Sequence, residues 1–228
     1  METFGLNIAN AIALVITFHG VFLSVFFIVR SELKPGNNFL LGLMLLALSF
    51  LSFYELLGPL SGTPSSLCFP YYFYELLISP FLFLYATNLI HPGFKNRIGI
   101  HLLIVSFMMP LTVMCSGTIL IRKVLVIAYS MINVIYLLAT LYVLGDFIKK
   151  HPHDLRQLRY SGYSWIFNLC LIVLTALITS IIMNALSPQK MIYLSQLPKG
   201  LVIYYTYYKI LIHAVINLRQ LSQFYLLK

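Results

Sequence analysis

The sequence predicts an all-α integral membrane protein, a seven-transmembrane helix bundle with its N-terminus outside and its C-terminus inside (N-out/C-in). Three observations predict it. Seven apolar stretches take up most of the 228 residues. Charged residues make up only 9% of the chain, where a water-soluble domain carries about 25%. Turn-forming segments rich in Gly, Pro, Ser and Asn separate most of the stretches. A run of about 20 apolar residues, rising about 1.5 Å each, crosses a hydrocarbon core about 30 Å thick. Backbone in lipid has to satisfy its own hydrogen bonds, so each run is expected to be a helix.

Span one covers 6–29 and contains ALVITFHGVFLSVFFIV. It lacks a basic leader and a small-residue cleavage site, and so reads as a retained span, not a signal peptide. RSELKPGNN (30–38) breaks the chain before span two, 38–60. GPLSGTPSS (58–66) breaks it again before span three, 70–91. HPGFKNR (91–97) leads into span four, 98–115, which is short and carries Pro110 in its outer half. Span five, 119–148, starts with Arg122 and Lys123, whose long stems can snorkel to the interface. If spans four and five were one broken element, the count would be six and the C-terminus would change sides. The longest polar connection, KKHPHDLRQLRYSGYS (149–164), precedes span six, 163–186. SPQK and LPKG bracket the loop before span seven, 199–219. Residues 1–219 thus form one seven-helix transmembrane domain, and 220–228 a short cytoplasmic tail.

Loop charge sets the orientation. With the N-terminus outside, the inner basic residues are Arg30, Lys34, Lys95, Arg97, Lys149, Lys150, Arg156, Arg159, Arg219 and Lys228. The outer ones are Arg122, Lys123, Lys190 and Lys199, and Lys209 lies within span seven. Ten against four is the positive-inside pattern. Tyr71, Tyr72 and Tyr74 then fall near the outer interface, and Tyr160, Tyr163 and Trp165 near the inner one. The net charge of +9 is scattered between spans. It fits contact with anionic membrane lipids and no direct nucleic acid binding by this chain. Phe-Tyr-Glu-Leu-Leu occurs at 53–57 and again at 73–77, but no longer repeat accompanies it, so no inverted-repeat architecture follows.

Ionisable groups inside a membrane are costly, and each is a functional candidate. Glu55 and Glu75 lie at similar depth, about five residues from the outer ends of spans two and three, and Lys209 lies mid-span in span seven. The candidate ligand-binding residues are Glu55, Glu75 and Lys209, walled by Tyr204, Tyr205 and Tyr208, in a site for a small ligand entering from outside. The plainer reading is an interhelical clamp with interface tyrosines. His19, His101 and His213 stand one per helix, a pattern that suits hydrogen-bonded packing better than metal, and the HxH of His151 and His153 is a solvated loop. No metal and no cofactor is expected. Asn133, Asn168 and Asn184 are expected to hydrogen-bond across helices. Cys68 and Cys115, both outer, are a candidate disulfide, and Cys170 a small buried apolar residue.

An enzyme is not expected. HExxH, GxSxG, CxxC and a glycine-rich phosphate loop are all missing from the sequence. Asp146 and Asp154 lie at the inner surface, too shallow for an intramembrane aspartate pair. Lys209 invites a retinal reading, but position 205 is Tyr instead of the Asp of the DxxxK pattern, and Trp165 is the sole tryptophan.

The middle of the chain resembles the seven-helix membrane domain of AraC-type bacterial transcriptional regulators. The resemblance rests on Phe69-Pro70, SPFLFLY at 79–85, HPGF at 91–94 and His101. GVFLSVFFIVR followed by NNFLLGLMLLALSF also resembles that family's first hairpin. It covers spans one to four well and spans five to seven in outline. The sequence departs from the family in its Met109-Pro110 and in lacking an acidic run before Trp165. Those regulators continue into a helix-turn-helix domain of about 100 residues, whereas this sequence stops at Lys228. The chain is therefore expected to be a truncated or shortened relative, or a module that works alone. The resemblance implies a sensor in the bacterial inner membrane that passes an outside signal inward. Its implied partners are an unknown small ligand, a cytoplasmic DNA-binding domain or protein, and a second copy in a homodimer. The rival expectations are a small transporter or channel using the intramembrane carboxylates, and a non-signalling membrane assembly protein.

Overall fold

The computed structural model describes residues 8–30, 37–61, 64–91, 101, 103, 119–150, 161–186 and 198–209. All secondary structure among them is helical. The long helices are α1 (Ile8–Arg30), α2 (Asn37–Ser61), α3 (Pro64–Ile90), α4 (Ile119–Lys150) and α5 (Ser161–Leu186). The described part of a sixth, α6, covers 198–209. These fall on spans one, two, three, five, six and seven; the ends of the first five are shifted by a few residues, and the end predicted for span seven lies outside the described residues. The largest shift is at α3, which starts six residues before its predicted span. Pro64 can open a helix because its missing N–H would have no intrahelical acceptor there. Of span four, only His101 and Leu103 belong to the described residues, and both are helical.

Among the described residues, three helices are long and apolar enough to cross a membrane, at Ala11–Val29, Phe73–Ile90 and Ile127–Lys150. The described side chains of α2 and α5 add the apolar stretches Asn38–Tyr54 and Trp165–Thr179. The described residues are those of an all-helical protein with the apolar helices of a membrane protein.

The outward surface supports that class. On α4, Tyr129, Asn133, Leu137, Thr140 and Leu144 are buried, at spacings of three and four residues that keep one stripe inward. The opposite stripe is apolar too, with Ile127, Met131, Ile135, Leu138 and Tyr142 exposed. Helix α1 repeats the arrangement. Ile16, Leu23 and Phe27 face in, while Phe18 and Phe22 stand out at 71% and 69% exposure. A helix on the surface of a water-soluble protein turns a polar face outward. Here the outer faces are as apolar as the seam, which suits hydrocarbon surroundings.

Packing direction follows from specific contacts. Helices α1 and α2 are antiparallel: Gly20 meets Ser49, whereas Gly42 meets Ile28 and the Ser24 carbonyl. A Cβ added at Gly20 would overlap the Ser49 hydroxyl and come within 2.8 Å of Ile203 Cδ1 on α6. Three helices thus meet where no side chain intervenes, the close approach that small residues permit in membrane bundles. Helices α1 and α6 are parallel, because Ile16 lies against Gly200 and Gly20 against Ile203. Tyr74 of α3 stacks against Phe50 and Tyr54 of α2. Helices α3 and α4 are parallel, since Leu76 packs with Tyr129 and Phe83 with Tyr136. Helix α5 packs on α4, and Trp165 on α5 touches Tyr85 of α3 edge to face. Asn168 of α5 bonds Tyr205 of α6. The order α1–α2–α3–α4–α5–α6 therefore closes back on α1.

Replacing Gly20 with Val should destabilise the bundle by about 1–3 kcal/mol through overpacking at this junction. Gly145→Ala, where an added Cβ meets nothing within 4 Å, should instead stabilise α4 by up to about 1 kcal/mol. Thermal unfolding in detergent followed by far-UV circular dichroism measures both.

Candidate functional site

Helix α6 carries the densest polar character of the described bundle. Its wheel turns Val202, Ile203 and Thr206 inward and Leu201, Tyr204, Tyr207 and Tyr208 outward. Tyr205 and Lys209 lie between, on the flank toward α5. Two tyrosines stitch α6 to its neighbours. Tyr204 Oη lies 3.1 Å from Nδ1 of His19 on α1, with the rings edge to face. Asn168 Nδ2 donates to Tyr205 Oη at 3.2 Å. The Lys209 ammonium sits over the Tyr205 ring, 5.7 Å from its centroid, within cation–π range. Tyr205 is thus held at its hydroxyl by a neighbouring helix and at its face by the next turn of its own.

The predicted site residues divide on this geometry. Tyr204, Tyr205 and Lys209 cluster along α6, with His19 and Asn168 as partners. Tyr208 points away from the bundle at 58% exposure. Glu75 is half-buried on α3 and engaged in an interaction of its own. No ion pair joins it to Lys209; the ion pair present among the described residues is Asp146–Lys150, at 2.8 Å. Glu55 lies on α2, and its side chain falls outside the described residues, as do the side chains of Cys68 and Cys115 and the predicted disulfide between them. His213 and the HxH of His151 and His153 also lie outside.

His101 forms a second polar contact. Its Nδ1 lies 2.9 Å from Tyr136 Oη on α4, and Phe83 of α3 packs edge to face on both rings. Both described span histidines therefore make hydrogen bonds to tyrosines across helices. Among the described residues, no three His, Cys, Asp or Glu gather as a metal site would require. Cys170 is a free, fully buried thiol.

The asparagine expectation needs correction at one position. Asn168 bonds across helices, but Asn133 does not. It is fully buried on the inward stripe of α4, and neither its amide nitrogen nor its oxygen has a partner. The buried stripe around it is built of Tyr129, Leu137 and other side chains that offer it nothing at hydrogen-bonding distance. Asn184 lies on α5 with its side chain outside the described residues. Lys199, counted among the outer basic residues, is buried at the start of α6, 8% exposed. A lysine flanked by Pro198 and Gly200 reads as loop, and no local pattern signals its burial.

No family model, no curated protein and no solved structure matches the chain.

Tyr205→Phe should remove the Asn168 bond and cost about 0.6 kcal/mol, the mean for such interhelical bonds in bilayers. Unfolding of the wild type and variant in mixed micelles measures it. Cys170 should resist maleimide labelling in the folded protein and label fully once denatured, read by the mass shift.

Proposed function

We propose that the chain is the membrane-embedded sensory module of a protein resembling AraC-type regulators, with α6 as the output element and no catalytic step of its own. The observation that carries this reading is the parallel packing of α1 and α6 through Gly20, Ile203, Ile16 and Gly200. Two helices running the same way are separated by an odd number of reversed crossings. On this reading the first and last spans cross in one sense, which would bring the chain ends out on opposite faces. This agrees with the seven crossings and N-out/C-in orientation read from loop charge, and it is what carrying an outside signal inward requires.

Helix α6 suits the output role. Its polar contacts to neighbouring helices include the tyrosine bonds to His19 and Asn168, each modest on its own. A small ligand near Glu55, Glu75 and Lys209 would act by favouring one of two packings of α6. Tight binding alone would not suffice, because only different affinity for the two states shifts them. The shift would pass along span seven to the tail LRQLSQFYLLK and to a cytoplasmic DNA-binding domain or protein, with the bacterial inner membrane as the setting. Tyr204, Tyr205 and Tyr208 would contribute hydroxyls and ring faces to ligand contact.

Topology reporters fused to each end should report opposite compartments; the same compartment for both would overturn the reading. In a chimera with a DNA-binding domain placed after Lys228, Lys209→Met should change reporter output by about five-fold or more at unchanged membrane abundance. Unchanged output together with substrate flux in reconstituted vesicles would favour the transporter reading.

A further inference from the structure

Eight hydroxyls in this bundle behave alike. Thr17, Ser49, Ser52, Thr87, Thr140, Thr179 and Thr206 each donate to the carbonyl four residues back, and Thr175 to the one three back. This is the usual way a helix in apolar surroundings hides a hydroxyl. Ser24 on α1 and Ser79 on α3 depart from the pattern. Both side chains are buried, yet neither Oγ has a partner. Ser79 is the one with a second orphaned group near it.

The orphaned amide of Asn133 lies beside it. The contacts Leu76–Tyr129 and Phe83–Tyr136 fix the register of parallel α3 and α4, each position on α3 facing the position 53 residues later on α4. Ser79 then faces position 132, one residue from Asn133. One residue is about 1.5 Å of depth. The flank agrees as well as the depth. Ser79 follows Leu76 by three residues, and Asn133 follows Tyr129 by four. In two parallel helices these offsets turn both side chains to the same side of the seam. A third polar group is at hand, because Pro80 has no N–H to donate to the Leu76 carbonyl.

We propose that Ser79, Asn133 and the Leu76 carbonyl form an internal hydrogen-bonding site between α3 and α4 that takes a water molecule. The chemistry selects the occupant. The carboxamide offers two donors and an acceptor, the hydroxyl offers both roles, and the carbonyl accepts. The set is uncharged, so it suits a neutral molecule that donates and accepts in turn. A buried water typically makes about three such bonds. Leaving these groups bare in an apolar interior would be costly. The aromatic layers of Tyr129 on one side and Phe83, Tyr136 and His101 on the other close the site along the helix axis.

The test uses the full chain reconstituted in lipid bilayers with 15N-labelled asparagine. Water-edited solid-state NMR reads magnetisation passing from water to each side-chain NH2 group, and Asn133→Leu assigns the Asn133 peak by its loss. The expected result is transfer to Asn133 in the wild type that is lost or at least halved in Ser79→Ala. No transfer to Asn133 in the wild type would overturn the proposal, as would transfer that Ser79→Ala leaves unchanged. Thermal unfolding gives a second measurement, which stays informative if one variant misfolds. Each single substitution should lower Tm, and the double variant should fall no further than the worse single one. A rise in Tm for Asn133→Leu would identify a dry, unsatisfied amide and would also overturn the site.

Discussion

Helices in hydrocarbon have no water to turn to, so every polar group has to be satisfied by the protein itself. That constraint orders most of what is seen here. Serine and threonine hydroxyls fold back onto their own carbonyls, as Ser49 does on Leu45 and Thr206 on Val202. Histidines reach tyrosines on the next helix. Lys209 lies over an aromatic face. The polar inventory is small, and most of its members have a local solution. Ser24, Ser79 and Asn133 stand out because they have not.

With lipid outside, apolar burial no longer drives the helices together, and packing detail takes over. The junction of Gly20, Ser49 and Ile203 is one such detail, and Gly42 against Ile28 another. Helices α2 and α3 are covered nearly all round, by Met44, Leu45 and Leu48 on one and Leu82, Leu84 and Ala86 on the other. Helices α1 and α4 show one covered and one open face. The bundle therefore has two inner helices and a periphery, although all five long helices are comparably apolar in sequence.

This distinction was not legible in the sequence. The spans were, since apolar runs such as 13–29 and turn segments such as RSELKPGNN mark them directly. The observed α1, α2, α4 and α5 start and stop within two residues of those limits. Hydropathy is nearly isotropic around each helix, however, and so says little about which face meets which neighbour. The same holds for the candidate site. Depth counting matched Glu55 with Glu75 and put Lys209 near mid-span, and it carried no signal for which side chains would meet; among the described residues Glu75 and Lys209 form no ion pair. His19 and Asn168, the partners that hold α6, carried only a generic expectation of cross-helix bonding. Their tyrosines could be matched only once α6 was known to lie between α1 and α5.

Helix α4 has 32 residues, or about 48 Å at helical rise. That is well beyond the roughly 30 Å of a hydrocarbon core. Asp146 and Lys150 pair at its end with largely exposed side chains. A rod of this length must either lean or push its last turns past the headgroups, and the balance shifts with bilayer thickness. Because α4 runs alongside α3, any leaning would be shared across that seam, coupling the bundle to the thickness of the membrane that holds it.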